Sequence, residues 1–318
     1  MKLKEIYEFV IKKGLEKDPR SKKEIKDALR KARRGFGKLP RIDKKFYDRE
    51  ALKHPFSDTR ILNGNPATEV RTVMVGIDIG GDELLTAHTL KGEGLAIDLA
   101  MSHHPSGRAL ADLYNVMSVQ ANILENFGVR HEIAEDIVKK RMEEVMRRFA
   151  SLNTERTIDI ARLLGMPLMC VHTPADNHVN KFLQGIFDRK KPKKIKDALN
   201  ILKTIPEYQD GMSKGAGPFL VAGKEDKNCG RIFVDMTGGT EGSKKSFSRL
   251  SQAGVNTIIG MHFSEEHIKI AKSEYINVII AGHISSDNLG LNLVLDGLEK
   301  RDRFNIMPCS GFRRVKRK

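Results

Sequence analysis

The chain predicts an α/β fold built on a duplicated unit, and three observations carry that prediction. β-branched apolar runs alternate with glycine pairs and helical patterns, beginning at residues 70–79, which is the grammar of strand–helix–strand units. The same order returns from Arg231. A short motif, histidine, three residues, then Asp-Asn, stands at His172 to Asn177 and again at His283 to Asn288, each time directly after an apolar run.

Leu3, Ile6, Phe9, Val10 and Leu15 recur at helical spacing amid Lys and Glu, predicting helix over residues 3–35. Gly35, Gly37, Pro40 and Pro55 then punctuate an irregular approach to the core. The first unit runs strand (70–79), Gly80-Gly81, helix (82–91), then strand (95–101) ending at His103-His104-Pro105. The second runs strand (231–235), Gly238-Gly239, helix (241–253), then strand (255–261) ending at His262. Asp78 thus matches Asp235, and His103 matches His262. From His104 to His172 is 68 residues, but from His262 to His283 only 21. The excess, 109–164, has helical periodicity and reads as an insertion. The chain divides into a basic helical N-terminal extension (1–56), a first half-repeat (57–187), a basic linker (188–197), a second half-repeat (198–310) and a basic tail (311–318).

With 318 residues, 40% hydrophobic and 31% charged, the composition is that of a soluble globular protein. No apolar stretch approaches the ~20 residues that span a bilayer. Met1 to Glu5 lead into a charged amphipathic pattern that does not read as a signal-peptide apolar region, and Cys170, Cys229 and Cys309 have no ligand spacing, so a cytoplasmic setting is expected. The net charge is +15, with 20 Lys/Arg against 10 Asp/Glu in residues 1–60. Segments 188–197 and 311–318 carry +4 and +5, together more than the remaining +5 of net charge, which leaves a mildly acidic body. No aromatic interleaving accompanies these runs. They read as solvated surface, with nucleic-acid contact through the extension the less favoured reading.

Imidazoles and carboxylates at strand ends are the parts of a metal site. Adjacent side chains in a strand face opposite ways, but Pro105 ends the ladder after His103 and His104, so both can turn toward metal. The four-residue offset of His172 and Asp176, and of His283 and Asp287, brings each pair to one side if the loop winds helically. Six groups exceed what one catalytic metal needs. They suit two divalent ions, Zn, Fe, Mn or Co, with one aspartate bridging. His262 and His267, beside the repeat of the His103 position, are candidates for proton transfer. His54, His88, His131 and His178 are read as structural or surface. Gly238 to Ser243 has the glycines of a phosphate nest but lacks a phosphate-loop ending, so a tight turn is the plainer reading.

With these residues in hand, the chain resembles the Nif-three-like family, often described as GTP cyclohydrolase I type two homologues. The resemblance rests on Ser102-His103-His104-Pro105, His172-Thr173-Pro174-Ala175-Asp176 and Gly282-His283 with Asp287, and covers roughly residues 60–300. It implies two intertwined α/β halves with mixed sheets, a dinuclear metal site between them and a toroidal homo-oligomer. It implies His103, His104, Asp176, His283 and Asp287 as ligands, with Asp176 bridging and His172 alongside. Asp287 stands where the family has Glu, the insertion is longer than in minimal members, and the basic N-terminus replaces a short entry. The expected function is a metal-dependent hydrolase of a small nucleotide-like or phosphorylated substrate, by phosphoester cleavage or purine ring opening. The alternative is a non-enzymatic metal-binding regulatory or adaptor protein with a protein or nucleic-acid partner.

Overall fold

The structure, a computed structural model, describes residues 1–317. Along the chain come α1 (Leu3–Lys17), α2 (Lys22–Lys38), α3 (Arg41–Phe46), β1 (Arg60–Asn63), β2 (Thr72–Gly76), α4 (Gly81–Gly92) and β3 (Leu99–Ser102). Then follow α5 (Gly107–Ala111), α6 (Val119–Asn126), α7 (His131–Phe149), α8 (Arg156–Leu163), β4 (Leu168–Cys170) and α9 (Thr173–Lys190). The second half holds α10 (Ile195–Leu202), α11 (Pro206–Ser213), β5 (Phe219–Ala222), β6 (Arg231–Asp235) and α12 (Lys245–Gln252). It closes with β7 (Val255–Gly260), α13 (Glu265–Ser273), β8 (Asn277–Ile280), α14 (His283–Glu299) and β9 (Asn305–Pro308).

The duplication is visible in the sheets. One has strand order β1-β4-β3-β2-β9 and the other β5-β8-β7-β6. In each, the leading strand is antiparallel and the rest are parallel. Strands β2 and β3 are buried at every position, as parallel strands covered on both faces must be.

Two crossings intertwine the halves. Strand β9, after the last helix, returns to pair with β2 (Val73 with Ile306). The helical excursion, inserted in the first half, lays α6 and α7 on the second sheet: Val119, Ile123, Leu124 and Val138 pack with Phe233, Leu250 and Ile258.

The structure departs from the sequence reading in four places. The helix expected over 3–35 breaks at Pro19 and restarts at Ser21, where Ser21 and Glu24 form a capping box. Helix α1 is not an appendage: Leu3, Ile6, Phe9 and Val10 are buried with Val73, Leu99 and Leu291. Of the linker expected over 188–197, only residues 191–194 lie outside helices. The basic tail is stitched to the body, with Phe312 buried, Arg314 paired to Asp296 and Arg317 to Glu207; Lys318 lies outside the described residues.

Candidate metal centre

Each element delivers its side chain by a local device. Strand β3 ends with the N–H groups of His103 and His104 donating to the carbonyl of Ile77, which follows β2. His172 occupies the N-cap of α9 with Pro174 just inside the helix, where a missing N–H costs nothing. Asp176 then lies one turn along. Gly282 precedes His283 with φ +113, and a Cβ there would strike the Ala216 carbonyl oxygen at 2.6 Å, so only glycine turns the chain into α14. Asp287 follows one helical turn later. The winding expected of both His-x-x-x-Asp motifs is therefore the first turn of a helix.

All six sequence-derived ligand candidates converge. The His103 Nε2 atom lies 3.4 Å from Asp176 Oδ1 and 3.4 Å from Asp287 Oδ1. The Nε2 atoms of His104 and His283 are each 3.5 Å from Asp287 Oδ2. The His172 ring stands 4.8 Å from that of His103, and the His104 ring 5.1 Å from that of His283. Three overlapping trios could hold a metal ion: His103, His104 and His172; His104, His283 and Asp287; His103, Asp176 and Asp287.

The far ring nitrogens are taken. His103 Nδ1 donates to the Val171 carbonyl at 3.0 Å, His104 Nδ1 to Asp78 at 2.7 Å and His172 Nδ1 to Asp58 at 2.8 Å. An Nδ1–H donated outward leaves the Nε2 lone pair for a metal, which is the outer-shell arrangement of histidine ligands. Asp58 is fully buried and also accepts from the Thr173 hydroxyl at 2.5 Å. It was invisible in the sequence, where an acid in an irregular segment carries no signal. Asp78 was noticed as a repeat position, but its grip on His104 was not.

The fit to metal is tested by what the protein leaves unsatisfied. Asp176 Oδ1 and both oxygens of Asp287 are buried without a hydrogen-bond partner. Buried carboxylate oxygens are costly unless paired, and here they face imidazoles whose other nitrogens are engaged. The donor set fits a divalent ion. Burial alone would raise the Asp287 carboxyl, but His103, His104 and His283 outweigh it and hold it far below the usual range. Burial pushes Asp176 up to about 6. His172 is pulled up to about 9 despite burial, chiefly by Asp176 and Asp58.

The cluster forms one wall of a cavity of about 360 Å³. Leu110, Leu113 and Phe149 of the excursion form an apolar wall, and Asp235, Thr240, Glu241 and His262 contribute from the second half. Burial, then Glu241, pushes Asp235 up to about 7. His262 stacks 4.7 Å from His283, as its repeat position implied. His267 is corrected: it does not line the cavity, because Nδ1 is held by the Ser264 hydroxyl at 2.7 Å and Nε2 by the Gly242 carbonyl at 3.1 Å. Asp235 takes the place nearer the cavity, and its match to Asp78 was the available signal. His54 and His178 are buried and hydrogen-bonded, and His131 is a surface residue paired with Glu125. The resemblance implied Asp176 as bridge. In the structure Asp287 presents one oxygen to His103 and the other to His104 and His283, whereas Asp176 reaches only His103 and His172.

No family model and no curated protein matches the sequence. Among solved structures, the fold is like that of NIF3 superfamily proteins. The chain is similar to a NIF3 superfamily protein from Sphaerobacter thermophilus, with 27% identity, a TM-score of 0.70, and coverage of 80% of this chain and 91% of that one. A weaker likeness is to reduced HcgD from Methanocaldococcus jannaschii, with 15% identity, a TM-score of 0.48 and coverage of 79% and 87%. The family resemblance read from the motifs thus holds at the level of the fold. No helix among the described residues is long and apolar enough to cross a membrane.

Proposed function

We propose that this chain is a metal-dependent hydrolase with two divalent ions, acting on a small phosphorylated or nucleotide-like molecule. The observation that supports it most is the set of three unpartnered carboxylate oxygens buried among imidazoles at a cavity wall. In this reading His103, Asp176 and His172 would hold one ion and His104 and His283 the other, with Asp287, which faces imidazoles of both sets, available to either. When bound, the ions supply Lewis-acid polarisation and lower the pKa of water to about 7.

The chain's own residues do the rest. Leu110, Leu113 and Phe149 exclude water and receive the apolar face of a ring. Asp235, at a pKa of about 7, is placed to give or take a proton at neutral pH, and His262 is a second carrier. Assembly into a homo-oligomer belongs to the same proposal. Exposed Leu152 and Leu163 on the excursion offer apolar surface for it, and light scattering would count the subunits.

The test is a screen of metal-loaded protein on phosphomonoesters, phosphodiesters and nucleotides, with formate release from GTP as the readout for ring opening. Turnover should vanish with chelator and return with metal. Asp235→Asn should keep its metal and lose roughly 10²–10⁴-fold in rate. Full metal content with no turnover on any class would overturn hydrolysis. The second reading, a metal-binding adaptor, would then stand, favoured by the bare basic face of α2.

A further inference from the structure

The basic segments have different fates in the fold. In the tail, Arg313, Arg314, Lys316 and Arg317 each meet a carboxylate: Asp210, Asp296, Glu299 and Glu207. Helix α2 is the opposite. It carries eight Lys and Arg in seventeen residues, all exposed. Among the described residues only Arg30, with Asp27, is in an ion pair. At about 100° per residue the eight cations fall within one half of the helix circumference. Ile25, Leu29, Ala32 and Phe36 fall in the other, and Ile25 alone is buried. Arg30, Lys31, Arg34 and Lys38, with Gly35 and the single carboxylate of Asp27, line a shallow groove along the outer face.

One further feature points to a ligand on this face. Gly35 and Gly37 lie inside α2, where glycine weakens a helix. Neither has a positive φ, and a methyl group on either would meet nothing within 4 Å. Nothing within the chain calls for glycine there, whereas a backbone approaching the helix from outside would. The aromatics lie on the other side of the helix: Phe36 packs 5.0 Å from Tyr47 with Lys44 over its ring, and Phe46 of α3 lines a cleft with Ala28, Leu29 and Ala32.

We propose that the outer face of α2 binds nucleic acid through its backbone, the cations tracking successive phosphates. At about 25 Å, α2 is long enough to follow several nucleotides. An anionic membrane fits less well. Membrane binding scales with inserted apolar area, and the outward face of α2 has none; Phe46 and Ile42 are the only large apolar side chains exposed on α2 and α3.

The experiment is fluorescence anisotropy of the full chain with labelled oligothymidylate across a salt series, beside flotation with phosphatidylserine–phosphatidylcholine vesicles. Wild type should bind the oligonucleotide, and Lys26→Gln, Arg30→Gln, Arg34→Gln and Lys38→Gln together should flatten the log K against log salt slope by about 3. Phe46→Ala, in the cleft on the other side of α2, should leave affinity and slope unchanged. Circular dichroism and metal content, which do not depend on this face, should match wild type in both. If the fourfold variant fails to fold, Arg34→Gln with Lys38→Gln should still flatten the slope by about 1.4. No binding at low salt, an unchanged slope, or binding to vesicles without binding to the oligonucleotide would each overturn the proposal. None of these outcomes bears on the hydrolase reading.

Discussion

Asp58 shows how far a single buried side chain can matter to the candidate centre without touching it. It fixes the His172 ring and the Thr173 hydroxyl from full burial. Asp58→Asn should therefore weaken metal binding by about 10–100-fold, read by chelator competition, while leaving the chain folded. His54 governs a different property. It accepts the Phe56 N–H at Nδ1 and meets the Tyr7 hydroxyl at Nε2, and burial pushes its pKa from 6.5 down to about 4. As pH falls, the unfolded chain takes that proton first. Stability is present above pH 6.5 and is lost between there and about 4, with His54 contributing up to about 3 kcal/mol of the loss. Urea midpoints at pH 7, 5 and 4 should fall accordingly, and less steeply in His54→Gln. At this scale the sequence announced the candidate ligands, because histidines with four-residue partners at strand ends stand out. It hid Asp58 and Asp235, because an acid's role depends on what burial and folding set beside it.

At the scale of elements, the centre depends on the crossing of α9 and α14, whose first turns carry four of the six candidate ligands. Gly290 of α14 sits against α9. A Cβ there would lie 2.7 Å from the Ala175 carbonyl oxygen and 2.9 Å from Val179. Gly290→Ala must part the helices, costing about 1–3 kcal/mol. It should also lower metal affinity, because Asp176 and Asp287 move with their helices. Matched urea melts and metal titrations check both effects, and a stable variant with unchanged affinity would contradict the crossing's role. Strand runs, glycine turns and the excursion were legible because hydrophobic period and punctuation are local. The break at Pro19 was legible too, in the Ser21–Glu24 capping box, but the long amphipathic pattern outweighed it. Strands β1, β5 and β9 were not, since short edge strands with half-exposed patterns are defined by their partners.

For the whole molecule, the two halves are bound by segments distant in sequence, β9 on β2 and α6 and α7 on the second sheet, and the tail is tied to α11 and α14. Repeats and insertion could be read from order alone; their interlacing could not, since it depends on contacts hundreds of residues apart. Deleting residues 313–318 would strip Glu207, 2% exposed, of Arg317. A buried carboxylate left unpaired costs about 3–5 kcal/mol, so the truncated chain should unfold at clearly lower urea, whereas a free tail would change nothing. The measurement that bears most directly on the central claim is metal per folded chain, by elemental analysis of reconstituted wild type and Asp287→Ala. Two ions in wild type, falling to one or none in the variant, is the predicted result. A folded wild type that retains no metal after reconstitution, or a variant that keeps both ions, would contradict it.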